Sequence, residues 1–189
     1  GVFDMSIING ERNSTAKAYL DPARPRQNLN VVTDAQVQKI LFKNNEAIGI
    51  CYKKANGETI KVEALQEVIL SAGAVGSPQL LMLSGIGPAS HLKEHGIPII
   101  ADLPGVGRNL NDHPDFVLKF RCLQPVSIWP QTRLIGRTFA GIRWILLRDG
   151  ICASNQFEAV ACVRSGAGVE YPDIQLTLSP AAVDDQTWK

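Results

Sequence analysis

Residues 73–87 read GAVGSPQLLMLSGIG, an apolar run with glycine-rich sequence on either side. Ser77 is a suitable helix N-cap, and Pro78 suits the first helical position, where its missing N–H costs no hydrogen bond. The four apolar residues at 80–83 cover more than one side of a turn. They predict a short helix that is buried on most faces. The glycines of the closing SGIG can end this helix in the left-handed conformation.

The same glycines raise the alternative of a phosphate-binding loop. The dinucleotide fingerprint G-x-G-x-x-G lies between a strand and a helix, so that backbone amides can approach a pyrophosphate. Gly73 and Gly76 supply only G-x-x-G, while GIGPAS at 85–90 and GVGRNL at 105–110 lack the third glycine. The residues alone therefore favour helix termination, with nucleotide contact as the alternative.

Composition indicates a globular chain with no electrostatic preference for nucleic acid. The 189 residues are 45% apolar and 20% charged, and the formal net charge is +1. This length suits one large domain or parts of two. A balanced charge gives no reason to expect a nucleic-acid partner. The four cysteines form no C-x-x-C pair, so we expect a reducing, cytoplasmic setting.

Hydrophobic patterning predicts a mixed α and β architecture. Strand candidates carry alternating or mostly apolar residues and lie at 30–33, 37–42, 47–54, 59–71, 115–122, 157–164 and 172–179. Helix candidates begin at 78, 88 and 138, and the last of them ends at 150. Asn44-Asn45 and Asn56-Gly57 supply turn residues that tolerate positive φ, which predicts a three-stranded antiparallel meander.

Three polar features are candidates for function. His91 and His95 have metal-binding i, i+4 spacing, but no third ligand lies nearby in sequence, so a solvated helix face is favoured. His113 lies in a loop, where capping and site roles are both open. Glu158 falls in an otherwise apolar strand, where a carboxylate is costly unless it is paired or faces a cavity. Periodicity alone favours the alternative, a frayed strand end with Glu158 in water.

The stretch GAVGSPQLLMLSGIG resembles the second signature of the glucose-methanol-choline (GMC) oxidoreductases, flavoenzymes that oxidise alcohols with FAD. Further blocks follow in the family's order, and the likeness covers nearly the whole chain. These blocks are NLNVVTDAQVQKILF, AIGICY, EVILSAG, HLKEHGIPIIADLPGVGRNLNDHP, ASNQFEAVACVRS and PDIQLTLSP.

The resemblance implies a fold and a cofactor site. It assigns residues 1–20 to a connecting segment, 21–107 to part of an FAD-binding domain with a β-meander, and 108–189 to an incomplete antiparallel-sheet substrate domain. Val37 matches the residue whose backbone meets the adenine. The turn formed by Ser71, Ala72 and Gly73 is expected near the ADP half of FAD. Small residues there let the main chain approach a nucleotide.

The resemblance extends to the substrate. Within the family, the ASNQFEA block at 153–159 is most similar to choline dehydrogenases. It places Glu158 in the substrate cavity, facing a quaternary ammonium, with Phe157 or Trp129 adding cation–π attraction. Aromatic or aliphatic alcohols remain the alternative substrates. The loop with Asn109, Asn111, Asp112 and His113 matches the family's N-L-Q-D-H and is expected to support the domain junction.

The resemblance also limits what this chain does by itself. The family's glycine fingerprint and catalytic histidine have no counterpart in the sequence, so we expect no catalytic residue, no metal site and little retained FAD. We expect an internal segment of a larger enzyme, whose missing parts are partners and whose open edges self-associate. The parent is expected in the cytoplasm or associated with a membrane. A non-catalytic binding or structural module is the alternative, and the choice between dehydrogenase and oxidase stays open.

Overall fold

The computed structural model describes residues 6–124, 126–155, 157 and 159–180. The chain divides into two compact units. The central unit is Asn30–Asp115, and the terminal unit combines Gly1–Leu29 with Phe116–Lys189. The predicted functional boundaries at 20/21 and 107/108 stay a prediction.

Short strands and helices alternate along both units. The strands are β1 Ile7–Ile8, β2 Glu11–Arg12, β3 Ala35–Lys43, β4 Glu46–Lys54, β5 Thr59–Glu63, β6 Ile86–Gly87, β7 Ala101–Asp102, β8 Ala159–Val163 and β9 Ile174–Leu178. The helices are α1 Asp21–Ala23, α2 Gly73–Leu83, α3 Ala89–Glu94, α4 Trp129–Thr132 and α5 Leu134–Leu147. A π-helical turn at Ala16–Leu20 precedes α1, and a 3-10 turn occupies Ile151–Ala153. The predicted mixed α and β class is confirmed.

The central unit is built on the predicted antiparallel meander, with strand order β3-β4-β5. Asn44 and Asn45 both have positive φ, at 50° and 64°, as a tight two-residue hairpin turn requires. Gly57 has φ 87° in the second turn. Both predicted turns are therefore confirmed.

Three predicted strands are wrong in whole or in part. Residues 30–33 and 115–122 are irregular, and the strand predicted over 59–71 ends at Glu63. The apolar residues that follow are largely exposed, including Leu65 at 98%. A strand needs a neighbour that satisfies its backbone groups. Residues 65–71 have no strand partner within the described part of the chain.

Helix α2 begins five residues earlier than the sequence predicts. Its N-cap is Ala72, Gly73 is the first helical residue, and Pro78 lies inside the helix. Ser77 is therefore not the N-cap. Its Oγ instead accepts a hydrogen bond from the Ala72 backbone N–H at 3.1 Å, which satisfies a donor at the helix start.

The end of α2 is confirmed, while its predicted burial is only partly correct. Gly85 has φ 91°, and a Cβ there would lie 2.4 Å from the Pro98 carbonyl oxygen, so this position requires glycine. Leu80 is buried, but Leu83 is exposed. The second predicted helix is α3, in which Leu92 is completely buried.

The terminal unit contains the long helix and an antiparallel β8–β9 pair. Helix α5 starts four residues before the predicted position 138 and ends at Leu147, three residues before the predicted position 150. Its C-cap, Arg148, adopts the left-handed conformation. The Trp144 indole N–H donates a 2.7 Å hydrogen bond to the Gly10 carbonyl, which fixes the β1–β2 hairpin on α5. The two predicted strands at 157–164 and 172–179 contain β8 and β9.

Candidate functional site

The central unit contains an apolar cavity of about 470 Å³. All three strands of the meander line it, together with residues of the 64–72 segment and Leu80 of α2. Val37, Ser71 and Ala72 are among the lining residues. The structure therefore brings together three of the four residues that the resemblance places at the cofactor, and Gly73 directly follows them in sequence.

A β-bulge presents Val37 to this cavity. Val37 pairs with Tyr52 and Lys39 pairs with Cys51, so the register shifts at Gln38. A bulge bends its strand and redirects the neighbouring side chains and backbone groups. The Val37 side chain is partly exposed, at 36%, as a contact surface for a ligand must be.

The turn formed by Ser71, Ala72 and Gly73 is open on its glycine side. Gly73 has φ 83°, a conformation that residues with a side chain rarely adopt. Apart from the adjoining residues and the helix's own backbone, no atom of the described residues lies within 4 Å of the position that a Gly73 Cβ would occupy. Backbone conformation, rather than crowding, therefore requires glycine here, and the turn leaves space for a ligand to approach the main chain.

Ser84 joins the end of α2 to the meander beneath the cavity. Its Oγ accepts a 2.8 Å hydrogen bond from the Ile40 N–H and donates a 2.6 Å hydrogen bond to the Leu80 carbonyl. Ser84 is buried, and both of its partners line the cavity. The sequence analysis missed this role, because the partner in β3 lies 44 positions away.

Two solvent-exposed glutamates are also among the residues around the cavity and were missed by the sequence analysis. Glu63 ends β5, and Glu67 follows in the irregular segment. Neither side chain has a hydrogen-bond or ion-pair partner among the described residues, although Glu63 pairs with Gly49 through the β4–β5 ladder. The signal that could have found Glu63 is its place at the end of the alternating stretch TIKVE.

The histidines do not form a metal site in the described part of the chain. The His91 and His95 rings lie 4.7 Å apart, centre to centre, in an edge contact. No group of three or more histidine, cysteine, aspartate or glutamate side chains among the described residues is placed to hold a metal. His113 is exposed, and its backbone N–H donates to Asp112 Oδ1 at 2.8 Å. This local contact leaves the junction role of the loop a prediction.

The predicted substrate residue, Glu158, lies outside the described residues. Near it in sequence, Asn155 Oδ1 accepts a 3.1 Å hydrogen bond from the Phe157 N–H. Phe157 and Trp129 are both exposed, at 46% and 64%. The assignment of Glu158 and of its aromatic neighbours stays a prediction.

Comparison with known proteins identifies the family. The family model described as GMC oxidoreductase matches residues 1–115, more than half of the chain. The chain belongs to the GMC oxidoreductase family. The resemblance seen in the sequence blocks is thereby confirmed, and the apolar cavity lies within the matched region.

Two members of this family align with almost the whole of this chain. It is 45% identical over 184 residues to the oxygen-dependent choline dehydrogenase of Brucella canis. It is 44% identical over 186 residues to the protein of the same name from Pseudomonas savastanoi pv. phaseolicola. Each match covers 97% of this chain and 33% of the relative. The chain thus spans about one third of the length of these curated relatives.

A solved structure of an FAD-dependent oxidoreductase has a similar fold. The FAD-dependent oxidoreductase from Chaetomium thermophilum is 31% identical and has a TM-score of 0.70. The similarity covers 82% of this chain and 28% of that one.

None of the helices in the described ranges has the length and apolar character needed to cross a bilayer.

Proposed function

We propose that this chain forms part of an FAD-dependent oxidoreductase that acts on the CH–OH group of an alcohol donor. The observation that carries the proposal is the cavity at which Val37, Ser71 and Ala72 meet in a chain of the GMC family. In this proposal residues 1–20 are a connecting segment, 21–107 belong to the FAD domain, and 108–189 belong to the incomplete substrate domain.

The residues at this cavity fit the adenosine half of FAD. The lining is mostly aliphatic, which suits a flat aromatic ring, and Val37 and the Ala72-Gly73 turn leave the main chain accessible. Gly73 adds a backbone position that no side chain covers. FAD, when bound, supplies the hydride acceptor for alcohol oxidation. The part of this chain is to hold the adenosine end, and we place no catalytic residue in it.

Choline is the proposed donor. The relatives with 44% and 45% identity are named choline dehydrogenases, and the ASNQFEA block contains the carboxylate Glu158. A carboxylate near a quaternary ammonium stabilises it electrostatically, and an aromatic face adds cation–π attraction. Glu158 is therefore the residue on which we expect selectivity for a cationic alcohol to depend.

The first test uses the uninterrupted gene product that contains this chain. We expect it to purify with bound flavin, and choline added without oxygen should bleach the flavin absorption. The 189-residue chain alone should retain little FAD through gel filtration. A gene product without flavin would overturn the proposed function and would favour a non-catalytic binding or structural module.

The second test addresses the donor. In the same gene product, Glu158→Gln should raise the KM for choline by about tenfold, because it removes a charge contact with the cation. Oxidation of an uncharged primary alcohol should change little. Glu170→Gln, in the loop between β8 and β9, is the matched control. Unchanged choline kinetics in Glu158→Gln would exclude choline binding at this residue.

A further inference from the structure

The segment that leads from α5 into β8 is anchored at its start by an ion pair. Asp149 directly follows the C-cap of α5, and its carboxylate accepts hydrogen bonds from Arg143 Nε at 2.6 Å and from Arg143 Nη2 at 2.9 Å. A contact through two parallel hydrogen bonds fixes the orientation of both side chains. The chain therefore leaves the helix in a defined direction.

A 3-10 turn continues this anchored path. The turn is Ile151–Ala153, and the Ala153 N–H donates a 3.0 Å hydrogen bond to the Gly150 carbonyl. Gly150 has φ 79°, a conformation that glycine adopts without strain. Asn155 is thus reached through consecutive ordered contacts that begin on a long helix.

The Asn155 side chain fixes the next step of the backbone. Its Oδ1 accepts a 3.1 Å hydrogen bond from the Phe157 N–H, two residues further on. The β8–β9 register begins only at Ala159, so it does not include Phe157. The Asn155 side chain therefore provides Phe157 with the acceptor that a neighbouring strand provides within a sheet.

The Phe157 ring is open to a ligand. Phe157 is 46% exposed. Alternation along the chain predicts that its side chain shares a face with Ala159 and Ala161, whose methyl groups are too small to cover an aromatic ring. A fixed backbone leaves few staggered conformers for the ring. An accessible aromatic face with a restricted direction suits a quaternary ammonium group.

We infer that Asn155 is a positioning residue for the alcohol donor: by accepting the hydrogen bond from the Phe157 N–H, it directs the Phe157 ring towards the quaternary ammonium of choline. This inference rests on the proposed function, because choline is the proposed donor. The alternative is that Asn155 only stabilises its turn. Asn56 makes such a contact in the β4–β5 turn, where its Oδ1 accepts a 3.0 Å hydrogen bond from the Glu58 N–H.

The test measures the KM of the uninterrupted gene product for choline and for an uncharged primary alcohol. Asn155→Ala should raise the ratio of the two KM values, choline over uncharged alcohol, by about threefold, because the ring loses its fixed direction. Asn155→Asp keeps an acceptor oxygen in place and should hold the ratio at or below the wild-type value. A role confined to turn stability would not change this ratio.

A double-mutant cycle shows whether Asn155 acts through the ring. Phe157→Leu removes the aromatic face and should raise the ratio by about fivefold. Adding Asn155→Ala to this variant should raise the ratio no further, because the effects of coupled residues are not additive. Asn56→Ala, which removes a hydrogen bond of the same kind in the β4–β5 turn, is the matched control and should show the wild-type ratio. Bound flavin in each variant establishes that it is folded.

The outcomes separate the two proposals. A wild-type gene product that does not oxidise choline overturns the proposed donor and this inference together. If the wild type oxidises choline while Asn155→Ala keeps the wild-type ratio, the inference is wrong and the proposed donor stands. The inference is also wrong if Asn155→Ala has the same effect with and without the Phe157 ring. A wild-type ratio in Phe157→Leu would overturn it whether or not the Asn155 variants fold.

Discussion

Gly49 shows how a single residue without a side chain permits the meander beneath the cavity. Its φ is 155°, and a Cβ there would lie 2.1 Å from the Val62 carbonyl oxygen of the neighbouring strand. Gly49→Ala must therefore displace β5 and should destabilise the chain by about 2–4 kcal/mol. Urea denaturation followed by circular dichroism measures the loss.

Gly57→Ala is the control for Gly49. Gly57 has φ 87° in the turn between β4 and β5, and, its chain neighbours aside, no atom of the described residues lies within 4 Å of its Cβ position. This control therefore isolates backbone strain, which is worth about 1 kcal/mol. Equal losses in the two variants would show that the close approach of Val62 contributes nothing.

Ser84 carries the second prediction at the residue scale. Ser84→Ala leaves the Ile40 N–H without its acceptor in a buried position, which should cost about 1–3 kcal/mol of folding free energy. Ser90→Ala, on the exposed side of α3, should stay within about 0.5 kcal/mol of wild type. Denaturant titrations compare the two. A Ser84 variant as stable as the control would mean that Ile40 finds another partner.

At the scale of elements, ion pairs and one indole hydrogen bond hold the β1–β2 hairpin on α5. Glu11 pairs with Arg148 at 3.0 Å and also accepts a hydrogen bond from Lys17. The hydrogen bond and charge of Lys17, followed by the charge of Arg148, lower the pKa of Glu11. The ionised carboxylate is thus favoured in the folded chain, and its contribution is lost as the pH falls through this lowered pKa.

The pH dependence of this contact is testable. Above the ordinary glutamate pKa of 4.5, the wild-type chain should have a higher Tm than Glu11→Gln. The difference should shrink and disappear as the pH falls through the lowered value. Glu170→Gln should match wild type throughout. A difference that persists in acid would point to packing of the Glu11 side chain instead of its charge.

Local sequence predicted some of the turns and helix ends of this chain but not others. The hairpin turns were predictable because Asn44, Asn45 and Gly57 tolerate the positive φ that short turns need. The start of α2 was not, because Gly73 and Gly76 are poor helix formers and Pro78 is typical of a first turn. Tertiary contacts overrode these local preferences.

The candidate site likewise contains residues that the sequence could predict and residues that it could not. Val37, Ser71 and Ala72 could be predicted through family resemblance, because their blocks are recognisable in the sequence. Glu63 and Glu67 could not, because only the folded meander brings β5 and the segment after it to the same cavity. Tertiary structure, rather than local sequence, determines which acidic residues lie beside a cavity.

At the scale of the whole molecule, each of the two units exposes large apolar side chains. Leu65 and Ile69 are exposed in the central unit, and Phe116, Phe120 and Leu134 are exposed in the terminal unit. Exposed apolar residues scattered singly are ordinary, but a contiguous group of them is a candidate contact surface.

Helix α5 concentrates this apolar surface on one face. Ile135, Phe139, Ile142 and Leu146 recur at helical spacing, and all four are exposed. Contiguous exposed apolar patches drive association.

The 189-residue chain should therefore self-associate, with a sedimentation coefficient that rises with concentration. Ile135→Ser/Phe139→Ser should shift the equilibrium towards monomer, whereas Arg137→Ser on the same helix should not. If the wild-type chain sediments as a monomer at every concentration, the prediction is wrong. The apolar side chains on this face of α5 are then stable in contact with water.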